Sequence, residues 1–429
     1  MSIKTTLVKI VRKILPKGVI TSLEHTYRSA RGKVIASYYG KPAEKLKIIG
    51  ITGTNGKTTT ASYLNEILKE SGLKTALFST ATIEMAGKRS LNTKNLTVPP
   101  VAELQRFFRE AVNNDVDYVI IEAVSQGLHQ KKFLGVPFFM AILTNLTEDH
   151  LDYHRSLDNY AKAKAMLFEG EPNYIVLNSD SAYFDLFNRY SAKTAKVTYG
   201  QADGSDFHID RFKLYKRGVE AFVTHDQVKY ELATSIPGEF NAYNMTAAAA
   251  AAALIGIPKP DIEEGIANLT SLAGRYEILD TKTPYTVVVD YAHTPDGLER
   301  LLKSAQATTQ GNVIVVFGSM GAGRDKAKRP KMGVIAEANA DIVIVTDEEN
   351  DKESRKKIRA DILRDIIDSP KVREIDGRRE AIRAALETAQ KGDTVLITGL
   401  GHETYRLLDG KRIKWADQLV VREILAEEK

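Results

Sequence analysis

A glycine-rich segment followed by a lysine and three threonines, GITGTNGKTTT at residues 50–60, has the composition of a phosphate-binding loop. Glycines allow a tight turn and close approach of a ligand to the backbone. Backbone N–H groups at the start of a helix attract phosphate oxygens, a lysine reaches the outer phosphates, and a threonine hydroxyl suits Mg²⁺. The spacing departs from the usual loop, because Ile51 rather than a glycine stands five residues before Gly56. We predict that the nucleotide contacts come from Gly53, Thr54, Asn55, Gly56, Lys57, Thr58 and Thr59.

Acidic and histidine side chains follow two further predicted strands. Glu122 lies near the end of YVIIEAV, and TNLTEDHLDYH, which includes His150, follows another apolar run. The carboxyl ends of parallel strands meet at one edge of a sheet, so we expect both groups beside the phosphate loop. Mg²⁺ prefers carboxylates, hydroxyls and water, which predicts a metal site there. Taken alone, the second segment also fits the acidic start of a helix.

The elements that must position these residues alternate along the chain. Apolar runs such as KIIGIT and YVIIEAV indicate strands, and segments such as TTASYLNEILKESG indicate helices. Such alternation is typical of a parallel sheet with helices on both faces. Residues 198–235 have a strand-rich pattern and predict an antiparallel insert, and a second set of alternating elements starts between Gly274 and Pro284. We predict an α/β fold, with a P-loop doubly wound central domain (47–279), a second Rossmann-like α/β C-terminal domain (280–429) and a short basic segment (1–46) before them.

Composition excludes several classes of protein. The 429 residues exceed what one hydrophobic core holds, which is roughly 250–300 residues. With no cysteine, the chain has no disulfide, no thiolate-bound zinc and no cysteine nucleophile. No run of about 18 apolar residues is present, and the first residues do not resemble a signal peptide. The cytoplasm, where ATP is available, is the expected location.

The net charge of +5 is unevenly distributed. Eleven basic residues lie between Met1 and Lys47, opposed only by Glu24 and Glu44, and apolar residues near the start of the segment have helical spacing. One interpretation is a helix that docks on the next domain with a solvated basic face. The other is contact with an anionic partner, either a substrate pyrophosphate or a membrane surface.

Six segments occur in the order found in one enzyme family. They are the phosphate loop, TNLTEDHLDYH, NYAKAKAMLF, GEFNAYN, GRYE and VVVDYAHTPD. From about Lys47 to the C-terminus the chain resembles the Mur ligases, and the last segment is typical of the MurE type, which adds the third residue of the peptidoglycan stem peptide. The resemblance implies an ATP-dependent ligase that activates the carboxylate of UDP-MurNAc-L-Ala-D-Glu as an acyl-phosphate and joins it to an amino acid. ATP and two Mg²⁺ ions are the implied cofactors, and no nucleic acid is expected as a partner.

The resemblance also assigns roles to individual residues. It implies that Lys57 is catalytic and that Thr58, Glu122, His150 and Lys164 hold metal, with Lys164 carboxylated at its amine by CO₂. Lys162 would be an ordinary surface lysine. Asn241 and Asn244 would contact adenine, cap a helix, or do both. The remaining nucleotide contacts that the resemblance implies are Arg275 at the domain junction, Asp290 at the ribose, His293 and Thr294 in the closed cleft, and Arg324 near phosphate.

Selection of the amino acid is expected in TDEENDKES and GLGHETY. Family members that take meso-diaminopimelate carry Asp-Asn-Pro-Arg in the first segment, whereas this chain has Glu348-Glu349-Asn350-Asp351. An acid in place of arginine would repel a second carboxylate and attract an ammonium, which favours a basic amino acid, L-lysine before ornithine. We expect the substrate contacts at Ser125, Gln126, Asn350, Asp351 and Glu403.

Three departures from the family pattern keep other functions open. Gln126 stands where the family has histidine, Leu400 stands where it has lysine, and the segment before the phosphate loop is much shorter than the family's UDP-binding domain. The acceptor could therefore be lipid-linked rather than UDP-linked. The alternatives are a folylpolyglutamate synthase-like ligase, a nucleotide-hydrolysing switch, and a non-catalytic binding protein descended from a ligase.

Overall fold

The computed structural model describes residues 17–94, 96–321 and 325–427. Arg324 and the basic residues before Lys17 lie outside this range. The helices of the first unit are, in chain order, α1 (Lys17–Tyr38), α2 (Lys57–Glu70), α3 (Val101–Asn113), α4 (Ser125–His129), α5 (Leu151–His154), α6 (Leu157–Ala165), α7 (Phe184–Asn188), α8 (Phe240–Leu254) and α9 (Lys259–Ala267), with a 3₁₀ turn at Pro42–Lys45. Its strands are β1 (Lys47–Thr52), β2 (Thr75–Phe78), β3 (Thr82–Met85), β4 (Lys88–Leu91), β5 (Tyr118–Glu122), β6 (Phe138–Leu143), β7 (Tyr174–Asn178), β8 (Ala195–Gly200), β9 (Phe207–Tyr215), β10 (Gly218–His225) and β11 (Val228–Thr234).

These strands form one eleven-stranded sheet, in the order β11-β10-β9-β8-β7-β6-β1-β5-β2-β3-β4. The central strands are parallel, and β1 lies between β5 and β6. The predicted antiparallel insert is not a separate body, because its hairpins β9–β11 extend one edge of this sheet through a parallel contact between β8 and β9. The strand ends that carry the phosphate loop and Glu122 are thereby neighbours.

The second unit contains a six-stranded sheet. Its strands are β12 (Glu277–Leu279), β13 (Thr286–Asp290), β14 (Val313–Phe317), β15 (Ile342–Val345), β16 (Val372–Glu374) and β17 (Thr394–Thr398), followed by the hairpin β18 (Tyr405–Leu408) and β19 (Lys411–Lys414). Its helices are α10 (Pro295–Gln306), α11 (Lys328–Asn339), α12 (Arg355–Leu363), α13 (Arg378–Thr388) and α14 (Asp417–Glu427). The sheet order is β12-β13-β17-β14-β15-β16, parallel except for β12. The prediction of two successive α/β units is confirmed. Because β12 pairs with β13, we propose that the second domain begins before Glu277 rather than at residue 280.

Helix α2, which follows the phosphate loop, is fixed by close packing against α8 and α9. The alanine run of α8 is almost fully buried, and its small side chains allow neighbouring helices to approach. Gly265 of α9 lies so close to α2 that an added Cβ would stand 2.4 Å from the Cα of Ile67. The packing on these two helices therefore sets the position of α2 in the fold.

Within the described ranges, no helix combines the length and the apolar character needed to cross a membrane.

Candidate active site

A cavity of about 690 Å³ opens between the two units, at the carboxyl edge of the first sheet. Most of the residues predicted to bind nucleotide or metal line it, and Gln126 lies in the same wall. The predicted residues in its lining are Thr54, Asn55, Gly56, Lys57, Thr58, Thr59, Glu122, Gln126, His150, Asn241, Asn244, Arg275, Asp290 and His293. The ends of the parallel strands therefore bring these residues to one cleft, and their contacts with nucleotide and metal stay predictions.

The phosphate loop is clamped to the end of β6. Thr54 N–H donates to the Asn145 carbonyl at 3.0 Å, and Asn55 N–H donates to Asn145 Oδ1 at 2.9 Å. Gly53 has φ +151° and lies against the Thr144 hydroxyl, so a larger residue would not fit. With the loop fixed, the first N–H groups of α2 have no intrahelical acceptor and are available to phosphate oxygens.

Lys57 folds back across the loop. Its Nζ donates to the carbonyls of Gly53 at 3.0 Å and Thr54 at 2.7 Å. Burial lowers the pKa of Lys57, while the carboxylates of Glu122 and Asp149 oppose that change. The ammonium is thus held against the loop at which the outer phosphates are predicted to bind.

Thr58 and Glu122 form a compact set of oxygen donors. The Thr58 hydroxyl donates to Glu122 Oε1 at 2.8 Å, and Thr80 donates to the same carboxylate from its N–H at 2.6 Å and its hydroxyl at 2.9 Å. Hydroxyl and carboxylate oxygens fit Mg²⁺ beside a phosphate loop. Thr80, which follows β2 at the same edge, was missed from the sequence, because a single threonine after a four-residue strand carries no motif.

His150 lies farther along the cleft wall, next to Asp149. His150 Nε2 is 3.4 Å from Asp149 Oδ2. Burial tends to raise the pKa of Asp149, but His150, His293 and Lys328 outweigh it and lower that pKa to about 2. In the part of the chain that the structure describes, no three acidic or histidine side chains gather as a ready-made metal cage. Protein ligands for metal would therefore be supplemented by phosphate oxygens and water.

Lys164 is buried in α6 directly behind the phosphate loop. Its Nζ donates to the Gly53 carbonyl at 2.6 Å and lies 4.4 Å from the centre of the Tyr160 ring. Burial, followed by the charge of Lys57, holds the pKa of Lys164 well below its usual range. Lys162, two residues earlier, is exposed, as predicted for a surface lysine.

The two asparagines that are predicted to contact adenine have different hydrogen-bond partners. Asn241 Nδ2 donates to the carbonyls of Ile236 at 3.2 Å and Pro237 at 2.8 Å, so this amide stabilises the turn before α8. Asn244 Nδ2 donates to Asn241 Oδ1 at 3.0 Å. Neither amide caps α8, because the structure shows no side-chain cap bond at the start of this helix. An adenine contact remains a prediction for both asparagines.

Arg275 and Asp290 stand at the junction of the two units. Arg275 Nη2 donates to the Thr58 hydroxyl at 3.2 Å, and its guanidinium lies 4.5 Å from the centre of the Tyr291 ring. The Asp290 carboxylate accepts the N–H groups of Tyr276 and Ala292, both at 2.7 Å. Asp290 thus shapes the turn after β13, and its predicted ribose contact remains a prediction. Thr294 caps α10 by accepting the Gly297 N–H at 3.1 Å.

The predicted substrate residues are divided between the cleft and the interior. Gln126 lines the cavity, whereas Ser125 is buried with its hydroxyl 3.0 Å from His154 Nε2. Asn350 Nδ2 donates to the Glu353 carbonyl at 2.7 Å and to Asp409 Oδ1 at 2.8 Å.

Three further predicted substrate residues, Asn350, Asp351 and Glu403, are not in the cavity lining, and their contact with substrate stays a prediction. Asn350 and Asp351 do not line the cavity, since their backbone N–H groups both donate to the Leu407 carbonyl and hold the loop against the β18–β19 hairpin. Glu403 is buried behind Tyr291, whose hydroxyl is 3.5 Å from Glu403 Oε1.

Comparisons with known proteins agree with this geometry. The profile of the Mur ligase middle domain matches residues 51–252, and that of the Mur ligase glutamate ligase domain matches residues 274–401. A UDP-N-acetylmuramoyl-L-alanyl-D-glutamate–2,6-diaminopimelate ligase from Clostridium botulinum is 38% identical over 402 residues, which is 93% of this chain and 82% of that protein. Its counterpart from Aquifex aeolicus is 36% identical over 423 residues, 97% of this chain and 85% of that protein.

Solved structures give the same result. A UDP-N-acetylmuramoyl-L-alanyl-D-glutamate–2,6-diaminopimelate ligase is 31% identical, with a TM-score of 0.63 over 89% of this chain and 79% of that one. A folylpolyglutamate synthase from Mycobacterium tuberculosis with bound ADP has a TM-score of 0.70 over 86% and 91% of the two chains, but at 19% identity it shows the fold alone. The fold and the phosphate site define an ATP-dependent ligase that joins an acid to an amino acid. The chain belongs to the Mur ligase family.

Proposed function

We propose that this ligase joins a diamino acid to UDP-MurNAc-L-Ala-D-Glu in peptidoglycan synthesis. The observation that carries the proposal is one continuous cavity that runs from Lys57 and Thr58 to Gln126 and Lys132. A carboxylate bound beside Gln126 and Lys132 would face a triphosphate bound beside Lys57 and Thr58. Relatives that are 36–38% identical are named for the corresponding diaminopimelate reaction.

The proposed reaction has two chemical steps, and residues of this chain would assist them. A carboxylate oxygen of the acceptor attacks the γ-phosphorus of ATP, the bond to ADP breaks, and the Lys57 ammonium with the α2 N-terminus stabilises the charge on the phosphate oxygens. The amine of the incoming amino acid then attacks the acyl carbon, phosphate leaves, and the amine loses a proton. The contacts between the two units would exclude water from the acyl-phosphate.

Thr58, Glu122 and His150 would hold magnesium, with two ions proposed for the site. Bound Mg²⁺ supplies positive charge that neutralises the phosphate oxygens during transfer. Burial and the charge of Lys57 lower the pKa of the Lys164 amine. This supports its carboxylation, because a neutral amine is the form that reacts with CO₂. The carbamate would convert a cation behind the phosphate loop into an anionic metal ligand.

The acceptor side of the cleft offers polar and basic groups. Gln126, Gln130, Lys132 and Thr97 line it, and Lys132 Nζ donates to the Val98 carbonyl at 2.8 Å. The adjacent Lys131 donates to the Ser29 hydroxyl of α1 at 3.3 Å, so the basic helix borders this end of the site. We propose that the acceptor is UDP-linked, that the reaction takes place in the cytoplasm, and that the basic segment makes peripheral contact with an anionic partner.

The incoming amino acid is proposed to be basic, with L-lysine ahead of ornithine. The loop Glu348–Asp351 contains no arginine to pair with a distal carboxylate, whereas it carries three acidic residues. A second carboxylate would therefore be unfavourable, and a side-chain ammonium favourable.

An ADP-release assay tests this function. The purified chain is incubated with ATP, Mg²⁺ and UDP-MurNAc-L-Ala-D-Glu, with L-lysine, ornithine, meso-diaminopimelate or L-glutamate added separately. We expect ADP release that requires both the acceptor and a diamino acid, fastest with L-lysine. ADP release at the same rate without the acceptor would overturn the proposed ligase reaction. A preference for meso-diaminopimelate would overturn only the choice of amino acid.

A further inference from the structure

A carboxylate of the second unit lies against the phosphate loop of the first unit. Asp296, in the first turn of α10, accepts a hydrogen bond at its Oδ2 from Asn55 Nδ2 at 2.8 Å. The Thr147 hydroxyl donates to the same oxygen at 3.4 Å. Asn55 lies in the turn of the phosphate loop between Gly53 and Gly56, and Thr147 follows β6, to whose end the loop is clamped. One carboxylate of the second unit thus contacts both the loop and its support.

Asn55 is held by both units at once. Its N–H donates to Asn145 Oδ1 at 2.9 Å, and its carbonyl accepts from the Thr144 hydroxyl at 2.6 Å. These contacts hold its main chain from the first unit, whereas its side-chain amide is bonded to the second unit. The next residue, Gly56, has φ +84° and is the N-cap of α2, whose first N–H groups are available to phosphate oxygens. A shift of Asn55 would therefore change the direction in which these N–H groups point.

The Asp296 side chain is fixed by its own helix. Its Oδ1 accepts a hydrogen bond from Arg300 Nε, one helical turn later, at 2.9 Å. The Arg300 guanidinium also offsets a negative charge that would otherwise oppose the binding of an anionic nucleotide nearby. The position of Asp296 in the first turn of α10 is one at which the helix dipole favours an acid. One carboxylate oxygen is therefore held within the second unit, and the other is directed to the phosphate loop.

Other contacts between the two units, among the residues that the structure describes, act at different places. Lys331 pairs with Glu148 at the surface, where both side chains are about half exposed, and such pairs contribute little to stability. Arg275 reaches Thr58, which already belongs to α2. Of these three contacts, the one made by Asp296 reaches the turn of the phosphate loop. It is therefore the contact through which the position of the second unit can act on the shape of the loop.

Resting on the function proposed above, we propose that Asp296 is a positioning residue that couples the placement of the second unit to ATP binding. By holding the Asn55 amide, it keeps the turn of the loop in the conformation that presents the α2 N–H groups to phosphate oxygens. With the second unit in place, the loop is ordered before the nucleotide arrives, so less binding free energy is lost in ordering it. Such coupling is reciprocal, and bound ATP stabilises the contact between the units by the same factor.

Asp296→Ala tests this assignment, with Glu299→Ala as the matched control, because Glu299 is an acid of the same helix whose pair with Lys303 is exposed. The Kd for ATP is measured by titration calorimetry on the purified chain, with Mg²⁺ and without the acceptor. We expect Asp296→Ala to raise this Kd about tenfold, the loss expected for one hydrogen bond to a charged group, and Glu299→Ala to leave it unchanged. The kcat at saturating ATP should stay near wild type in both variants. An unchanged Kd in a folded Asp296→Ala chain would overturn the assignment.

An exchange of the two groups, which keeps the shape of both side chains, separates the contact with Asn55 from an effect on α10 alone. Asn55→Asp would place two carboxylates face to face and should raise the Kd for ATP. Adding Asp296→Asn to that variant pairs an amide with a carboxylate again and should lower the Kd, whereas Asp296→Asn alone should raise it. A rise in both backgrounds would mean that Asp296 acts without Asn55 and would refute the coupling. These Kd values need no acceptor, so a wild-type chain that binds ATP but releases no ADP with any amino acid would refute the proposed ligase reaction and not the role of Asp296.

Discussion

The guanidinium of Arg275 reaches across the cleft to the hydroxyl of Thr58, with Nη2 and Oγ1 3.2 Å apart. Thr58 also donates to Glu122, so this contact joins the second unit to the oxygen donors beside the phosphate loop. Arg275 lies over the Tyr291 ring, which fixes the direction of its side chain. The contact places a permanent positive charge where phosphate transfer would create negative charge.

Arg275→Gln should lower kcat about a hundredfold, because it removes a charged donor from the position of the transferred phosphate. The melting temperature should change little, since Gln keeps a polar side chain at a partly buried site. Steady-state ADP release and thermal unfolding measure the two effects. Arg217→Gln, in the exposed β9–β10 turn, is the control and should match wild type. Full activity of Arg275→Gln would exclude a role in phosphate transfer.

The sequence predicted the part of the site that depends on strand ends. Runs such as KIIGIT and YVIIE are apolar because both faces of a parallel sheet are covered, and their carboxyl ends brought Thr58 and Glu122 within 2.8 Å. The sequence did not reveal in which direction the side chains of loop residues point. Asn350 and Asp351 were assigned to the substrate, yet the β18–β19 hairpin, far along the chain, anchors them.

Two further features required the folded structure. Thr80 follows a strand of only four residues, and a single threonine there carries no motif, so its two hydrogen bonds to Glu122 could not be foreseen. Strand β12 has three residues, and its membership of the second sheet depends on pairing with β13. Both features depend on contacts between segments that are distant in the sequence, and the local hydrophobic periodicity does not report such contacts.

Lys164→Ala should lose activity about a hundredfold and regain part of it with added small carboxylates such as acetate or propionate. The truncated side chain would leave a space behind Gly53 in which a carboxylate can replace the carbamate. ADP release, measured with and without each acid, gives the result. Lys162→Ala removes an exposed lysine from the same helix and should behave as wild type. A Lys164→Ala enzyme that is active without added acid would contradict carboxylation of this lysine.

Gly56→Ala should raise KM for ATP. The control Gly72→Ala separates the effect of backbone strain from that of the new contact with Asn244. Both glycines have positive φ, at +84° and +78°, so an alanine at either site costs about 1–2 kcal/mol of backbone strain. Only at Gly56 would the Cβ also stand 2.3 Å from Asn244 Oδ1 and disturb the loop. We expect KM for ATP to rise at least about tenfold in Gly56→Ala alone, while both variants lose stability. Equal KM values in the two variants would show that the contact with Asn244 is unimportant.

Arg329 connects the loop after β14 with the loop at residues 346–354. Its side chain is fully buried, pairs with Glu353 at 2.9 and 3.0 Å, and donates to Asp361 at 2.8 Å and to the Met320 carbonyl at 3.0 Å. Removing one partner of a buried pair leaves the other charge uncompensated. Arg329→Met should therefore lower the free energy of unfolding by about 3 kcal/mol, measured by chemical denaturation.

Glu353→Gln should destabilise the protein in a pH-dependent manner. The hydrogen bond from Arg329 lowers the pKa of Glu353 from 4.5 to about 2. A carboxyl group whose folded-state pKa is depressed contributes stability that is complete above its unfolded pKa and is lost as the pH falls through the folded value. The gap in unfolding free energy between wild type and Glu353→Gln should therefore be full at pH 7 and should narrow between pH 4.5 and pH 2. Glu299→Gln, which removes an exposed pair with Lys303, is the control and should change stability by less than about 0.5 kcal/mol at every pH. A gap for Glu353→Gln that is equally large at pH 7 and pH 3 would mean that the charge of Glu353 is not what stabilises the loop.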